Sequence, residues 1–104
     1  AFHTGLDLAA DEGTPFACFA DGTVGVVGES TVLGKYLTVC HADGYETLYA
    51  HCSKIAVSSG QSVLRGDTLG AVGETGNATG AHLHFELLSG SKYLDPIAYA
   101  AKTV

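Results

Sequence analysis

Positive charge is scarce in this chain. Five lysines and arginines stand against eleven acidic residues, a formal charge of −6 over 104 residues. No basic stripe is available to neutralise phosphates, so no nucleic-acid partner is expected. No apolar run reaches the roughly 18 residues of a membrane span. A charged and apolar leader with a small-residue cleavage site is also missing. The chain opens at Ala1-Phe2-His3, directly on a residue of chemical interest. It is expected to be a domain excised from a longer protein, with any leader, linker or membrane anchor outside it. Cysteine is limited to Cys18, Cys40 and Cys52, an odd number without C-x-x-C spacing. At least one must stay unpaired within the chain, and a cysteine-rich structural zinc site is excluded. All three are expected to pack as small buried hydrophobes. There is no tandem repeat and no low-complexity segment.

Proline occurs twice and glycine fourteen times, hydrophobic residues make up 46% and charged residues 15%. That balance favours one packed domain over residues 1–104, mainly β, with short antiparallel strands joined by glycine turns in a compact, sandwich-like sheet. The clearest hairpin pairs Tyr36-Leu37-Thr38-Val39-Cys40-His41 with Glu46-Thr47-Leu48-Tyr49-Ala50-His51 around Asp43-Gly44. On its second arm, period two puts Thr47, Tyr49 and His51 on one face. A second hairpin is expected at Asp21-Gly22, and a connecting loop over residues 28–34. Residues 95–102 read as a short C-terminal helix, with Asp95 as N-cap, Pro96 at the first helical position and Lys102 at the negative end of the dipole.

The most informative stretch is Gly80-Ala81-His82-Leu83-His84-Phe85-Glu86. In a strand, His82 and His84 project from one face and Leu83 and Phe85 from the other. A core that buries Leu83 and Phe85 therefore holds two imidazoles on the opposite surface, suited to metal ligation, proton transfer or both. His3 and Asp7 flank Gly5, and a turn there can bring both side chains together. Zinc favours neutral imidazole nitrogens with a carboxylate, and catalytic sites keep one position open. His3, Asp7 and one member of the His82/His84 pair would make such a site. Spacing leaves open which member binds metal. The other member and His51 would stand beside it.

His3-Thr4-Gly5-Leu6-Asp7, Tyr49-Ala50-His51 and Gly80-Ala81-His82-Leu83-His84-Phe85-Glu86, in that order, resemble the LytM-type, lysostaphin-like zinc endopeptidases of peptidase family M23. Asp21-Gly22-Thr23-Val24, residues 43–51 and Gly66-Asp67-Thr68-Leu69-Gly70 resemble the connecting segments of that family, so the likeness covers nearly the whole chain. It departs at Ala81, where members often carry proline or serine. The resemblance implies a fold of the duplicated hybrid motif type with a groove. It also implies one zinc per chain held by His3, Asp7 and His84, with His51 and His82 as catalytic histidines. The implied substrate is a peptide bond in the stem or cross-bridge of bacterial peptidoglycan, which places the protein outside the cell or in the envelope facing the wall. Activity is expected to fall in acid as the ligand histidines protonate.

Other polar residues have plainer expected roles. His41 should hydrogen-bond its turn, and Glu86 could hold a ligand imidazole in place but is expected to be an exposed acid at the strand end. Tyr49 could line the groove or pack on the sheet. Thr75, Asn77 and Thr79 could touch substrate or simply build their loop. Two other functions fit part of the pattern. One is a catalytically silent M23-like envelope scaffold that binds a partner protein, although all five site positions are filled. The other is a phosphoryl carrier of the glucose-specific sugar phosphotransferase type, whose His-x-Gly-x-Asp element resembles residues 3–7 but sits late in the domain.

Overall fold

Alternation along the chain is the first determinant of the architecture. In the computed structural model, which describes residues 5–76, 78–89 and 92–94, Leu83, Phe85 and Leu87 all turn inward and are buried. Nine strands follow one another: β1 (Leu6–Ala9), β2 (Pro15–Ala17), β3 (Gly22–Ser30), β4 (Gly34–Cys40), β5 (Tyr45–Ile55), β6 (Ser62–Val63), β7 (Thr68–Val72), β8 (His82–Ser89) and β9 (Lys92–Leu94). All their pairings are antiparallel, in the order β1-β8-β5-β4-β3-β6, with β9 on β8 and β2 on β7. The mainly β, antiparallel expectation holds, and no α-helix occurs among the described residues. Residues 95–102, expected to be helical, lie outside them.

β5 carries the design. Its first part, through Ala50, pairs with β8, while its last residues, from Cys52 to Ile55, pair with β7. β7 in turn brings β2, so Phe16 stacks on Tyr49 with ring centroids 5.5 Å apart. The core fills the space so enclosed: Phe16, Cys18, Val24, Leu37, Val39, Tyr49, Cys52, Leu69, Leu83, Phe85 and Leu87 among others. Each fully buried Leu or Phe contributes about 1.5–3 kcal/mol of transfer free energy, enough to hold the outward face of β8 rigid.

The hairpin of β4 and β5 forms as expected, with a single 3-10 turn at Ala42–Gly44. The Asp21-Gly22 hairpin does not form. β2 pairs with β7, and β3 pairs with β4 and β6. Cys18 N–H donates to the Asp67 carbonyl at 2.8 Å and Gly66 N–H to the Cys18 carbonyl at 2.9 Å, committing the chain after β2 to a different neighbour. Gly22 does not take the positive φ that a tight hairpin turn demands. It is small for another reason: a Cβ there would collide with the Cys40 carbonyl. The loop expected over residues 28–34 is shorter, a turn confined to residues 31–33. β3 runs to Ser30 and turns into β4 at Gly34, with the Ser30 hydroxyl accepting Leu33 N–H at 2.9 Å. All three thiols are free, but only Cys18 and Cys52 are buried; Cys40, at the outer end of β4, is exposed.

Candidate active site

β1 and β8 pair in a register that sets Asp7 directly across from His84 and Ala9 across from His82. Directly opposed residues share a face, so the Asp7 carboxylate reaches the imidazole. His84 Nδ1 lies 2.6 Å from Asp7 Oδ1, and His82 Nε2 lies 3.9 Å from the same oxygen. On the reverse face Phe85 is wedged against Tyr49 and Phe19, each with ring centroids 5.3 Å away. That aromatic backing stops the strand from rotating.

Glu86 continues the same period-two face and is not an exposed strand-end acid. Its Oε2 lies 2.8 Å from His84 Nε2, and its side chain is only 16% exposed. His84 is thus flanked by a carboxylate on each ring nitrogen. Burial disfavours its charge, but hydrogen bonds to Asp7 and Glu86 outweigh that penalty and raise its pKa above the usual histidine value. Two anionic oxygens gathered around one imidazole form a pocket for positive charge. Carboxylates only accept, so His84 donates from Nδ1 to Asp7 and from Nε2 to Glu86; a metal ion taking the place of the Nδ1 proton would leave Nε2–H on Glu86, the carboxylate partner that a ligand histidine uses. His84 and Asp7 therefore fit a divalent zinc as nitrogen and oxygen ligands. No third His, Cys, Asp or Glu joins them as a complete ligand set among the described residues. His3, the third ligand named by the sequence, lies outside those residues.

His51 arrives by an irregular route. Lys35 pairs with Cys52 and Leu37 with Tyr49, so Ala50 and His51 on β5 face the single residue Tyr36 on β4. This is a β-bulge, and His51 within it has φ of +64°, the only non-glycine in the left-handed region among the described residues. The bulge corrects the expectation that Thr47, Tyr49 and His51 share a face. Thr47 and Tyr49 point into the core, where Thr47 Oγ1 donates to the Tyr49 hydroxyl at 3.0 Å. His51 instead sits beside the two β8 histidines, its ring centroid 4.9 Å from that of His82 and 6.1 Å from that of His84. A left-handed non-glycine costs about 1–2 kcal/mol, and such strain concentrates at functional positions.

Both spare histidines have one nitrogen committed. His51 Nδ1–H donates to the Thr75 carbonyl at 2.7 Å, and His82 Nδ1–H donates to the Gly80 carbonyl at 2.9 Å. A carbonyl can only accept, so in each neutral ring Nε2 is left as the proton acceptor. Asp7, His51, His82 and His84 are therefore brought together. His41 is elsewhere, bonded to the Asp21 carbonyl and Thr47 Oγ1. Tyr49 packs in the core, and burial pushes its hydroxyl pKa well above the usual value. Glu86 and Thr75 differ in how far their contacts can be traced in the sequence. Period two already aligned Glu86 with the histidines, whereas the contact of Thr75 to His51 spans 24 residues and leaves no local signal.

The model of peptidase family M23 matches residues 1–96. DD-carboxypeptidase/endopeptidase Mpg of Neisseria meningitidis is 41% identical over 101 residues, which are 97% of this chain and 23% of that protein. Peptidoglycan DD-endopeptidase ShyA of Vibrio cholerae is 43% identical over 86 residues, 83% of this chain and 20% of that protein. The chain thus spans under a quarter of the length of these curated relatives. Among solved structures, a peptidase M23 from Pseudomonas aeruginosa superposes with a TM-score of 0.91 at 41% identity, covering 94% of this chain and 43% of that one. A zinc-containing peptidase from Vibrio cholerae gives 0.88 at 41% identity, covering 91% and 29%.

Proposed function

The chain belongs to peptidase family M23, and from that membership we propose that it is a zinc endopeptidase cutting peptide bonds in the stem or cross-bridge of bacterial peptidoglycan. Residues 1–104 act as one catalytic domain, exported and facing the wall. The carrying observation is the convergence of Asp7, His84, His82 and the buried His51 at one place, with Nε2 of His51 and His82 left as acceptors.

In this reading His3, Asp7 and His84 hold one zinc, and Glu86 fixes the ring of His84. When bound, zinc supplies Lewis-acid polarisation of the scissile carbonyl and lowers the pKa of water toward about 7. The chain's own residues handle the proton. His51 or His82 takes it from the attacking water at Nε2, and an imidazolium in the same place returns it to the leaving amine. The Nδ1–H bonds to fixed carbonyls keep both rings oriented throughout. The name of ShyA supports peptidoglycan as the substrate.

Zinc-loaded protein incubated with defined muropeptides from several wall types should release new amino termini, read by mass spectrometry. His51→Ala and His82→Ala should each lower the rate by about 10²–10⁴-fold. Tight binding of muropeptides or an envelope protein, without cleavage of any of them, would instead identify a scaffold.

A further inference from the structure

Resting on the reading of His51 as a catalytic base, we infer that Thr75 is a positioning residue that selects which nitrogen of His51 faces the reaction. Thr75 is tied to both strands that form the bulge. Its hydroxyl donates to the Cys52 carbonyl on β5 at 2.7 Å and accepts Lys35 N–H on β4 at 3.0 Å. Cys52 and Lys35 are themselves cross-strand partners at the bulge edge. With its hydroxyl so clamped, Thr75 presents its own carbonyl to His51 Nδ1 at 2.7 Å. The hydroxyl's single proton is spent on Cys52, which argues against the role in substrate contact that its loop position suggests.

Close backbone packing reinforces the clamp. Gly34 has φ of +64°, and a Cβ there would collide with the Thr75 backbone and hydroxyl. Gly76 has φ of +75°, and a Cβ there would collide with Gly34 N and come within 2.6 Å of the Val32 carbonyl. The same turn accepts the His51 backbone, whose N–H donates to the Leu33 carbonyl at 2.8 Å. The turn before β4, the bulge of β5 and the loop before β8 therefore lock together around one imidazole. A neutral imidazole has two tautomers, and only the Nδ1–H form offers Nε2 as a base. A fixed carbonyl at Nδ1 selects that form and sets the ring's direction.

The zinc-loaded protein and its Thr75→Val and Thr75→Ser variants test this, with kcat and KM measured on one cleaved muropeptide. Valine keeps the shape and removes the hydroxyl. It should lower kcat roughly tenfold or more, a share of the 10²–10⁴ that a general base supplies, with KM nearly unchanged. Serine should restore most of the rate. In a His51→Ala background the valine substitution should cost nothing further, because Thr75 acts through that ring. An equal loss in both backgrounds, or none in either, overturns the inference. The ¹⁵N spectrum of the His51 ring gives a readout independent of catalysis. It should show the Nδ1–H tautomer in the wild type and a mixture in Thr75→Val, and a wild-type Nε2–H ring overturns the inference even if the valine variant does not fold. A protein with the Nδ1–H tautomer that cleaves no muropeptide would count against the proposed activity and leave the role of Thr75 in orienting the ring supported.

Discussion

Asp7 and His84 meet across two regular strands, while His51 reaches the same place from a bulge with a left-handed backbone. The first pair needs only register: residues opposite one another in an antiparallel ladder share a face, and the buried Leu83 and Phe85 prevent a one-residue slip. The second arrangement needs an exception to alternation, kept in place by bonds from Thr75 and Leu33. Ordinary strand geometry is thus sufficient to bring together Asp7 and His84, two of the three proposed ligands. The proton-accepting side requires the strand to be broken and then held.

The sharpest way to divide the two sides is to remove a member of each. His84→Ala should abolish stoichiometric zinc by metal analysis and lower activity by about 10³-fold or more, several kcal/mol of lost charge stabilisation. His51→Ala should lose activity while keeping its zinc. If His51→Ala also lost the metal, the separation of ligand and proton-accepting sides would collapse.

A smaller effect should appear at Glu86. Glu86→Leu should weaken zinc affinity by about 10–100-fold in a competition titration with a chelator, as expected for the partner that orients a ligand imidazole. Glu86→Gln should lose less, since its amide oxygen still accepts Nε2–H. Equal affinity in the leucine variant would mean that the 2.8 Å contact orients nothing.

Backbone strain supplies a comparison of opposite signs. At His51, with φ of +64°, glycine should be more stable than alanine by about 1 kcal/mol in urea unfolding. At His82, on the regular ladder of β8, glycine should be less stable than alanine by about 0.5–1 kcal/mol. The same sign at both positions would remove the bulge from the account.

Thiol chemistry gives the mildest readout. Cys40 should react with a maleimide in the folded protein, while Cys18 and Cys52 react only after unfolding. Burial pushes the Cys52 thiol up to about 12 from 9.0 and raises Tyr49 as well. Above pH 9 the unfolded chain releases these protons first, so stability should decline as pH rises from about 9 toward 12. A flat urea midpoint across that range would contradict the burial.

The legible features were those set by local alternation. Residues 82–85 announced their two faces, and Asp43-Gly44 announced its hairpin. Asp21-Gly22 misled because the same dipeptide that makes a tight turn also allows close backbone approach, and here Gly22 packs against the Cys40 carbonyl. Of the two roles open to Glu86, an imidazole partner and an exposed strand-end acid, the structure shows the first, because β8 continues to Ser89 and keeps Glu86 on the face of His84.

By itself the sequence determined the chemistry on offer: a β domain, a strand that must raise His82 and His84 together, and the acid and imidazole types that suit zinc. Tertiary structure decided which atoms meet. Asp7 and His84 are 77 residues apart and touch only through the β1–β8 register. His51 reached the side of His82 and His84 through a bulge stabilised by Thr75, 24 residues away. Side-chain direction in a regular strand is a local steric property, whereas register and bulges depend on hydrogen bonds to distant strands, and those exist only once the sheet has formed.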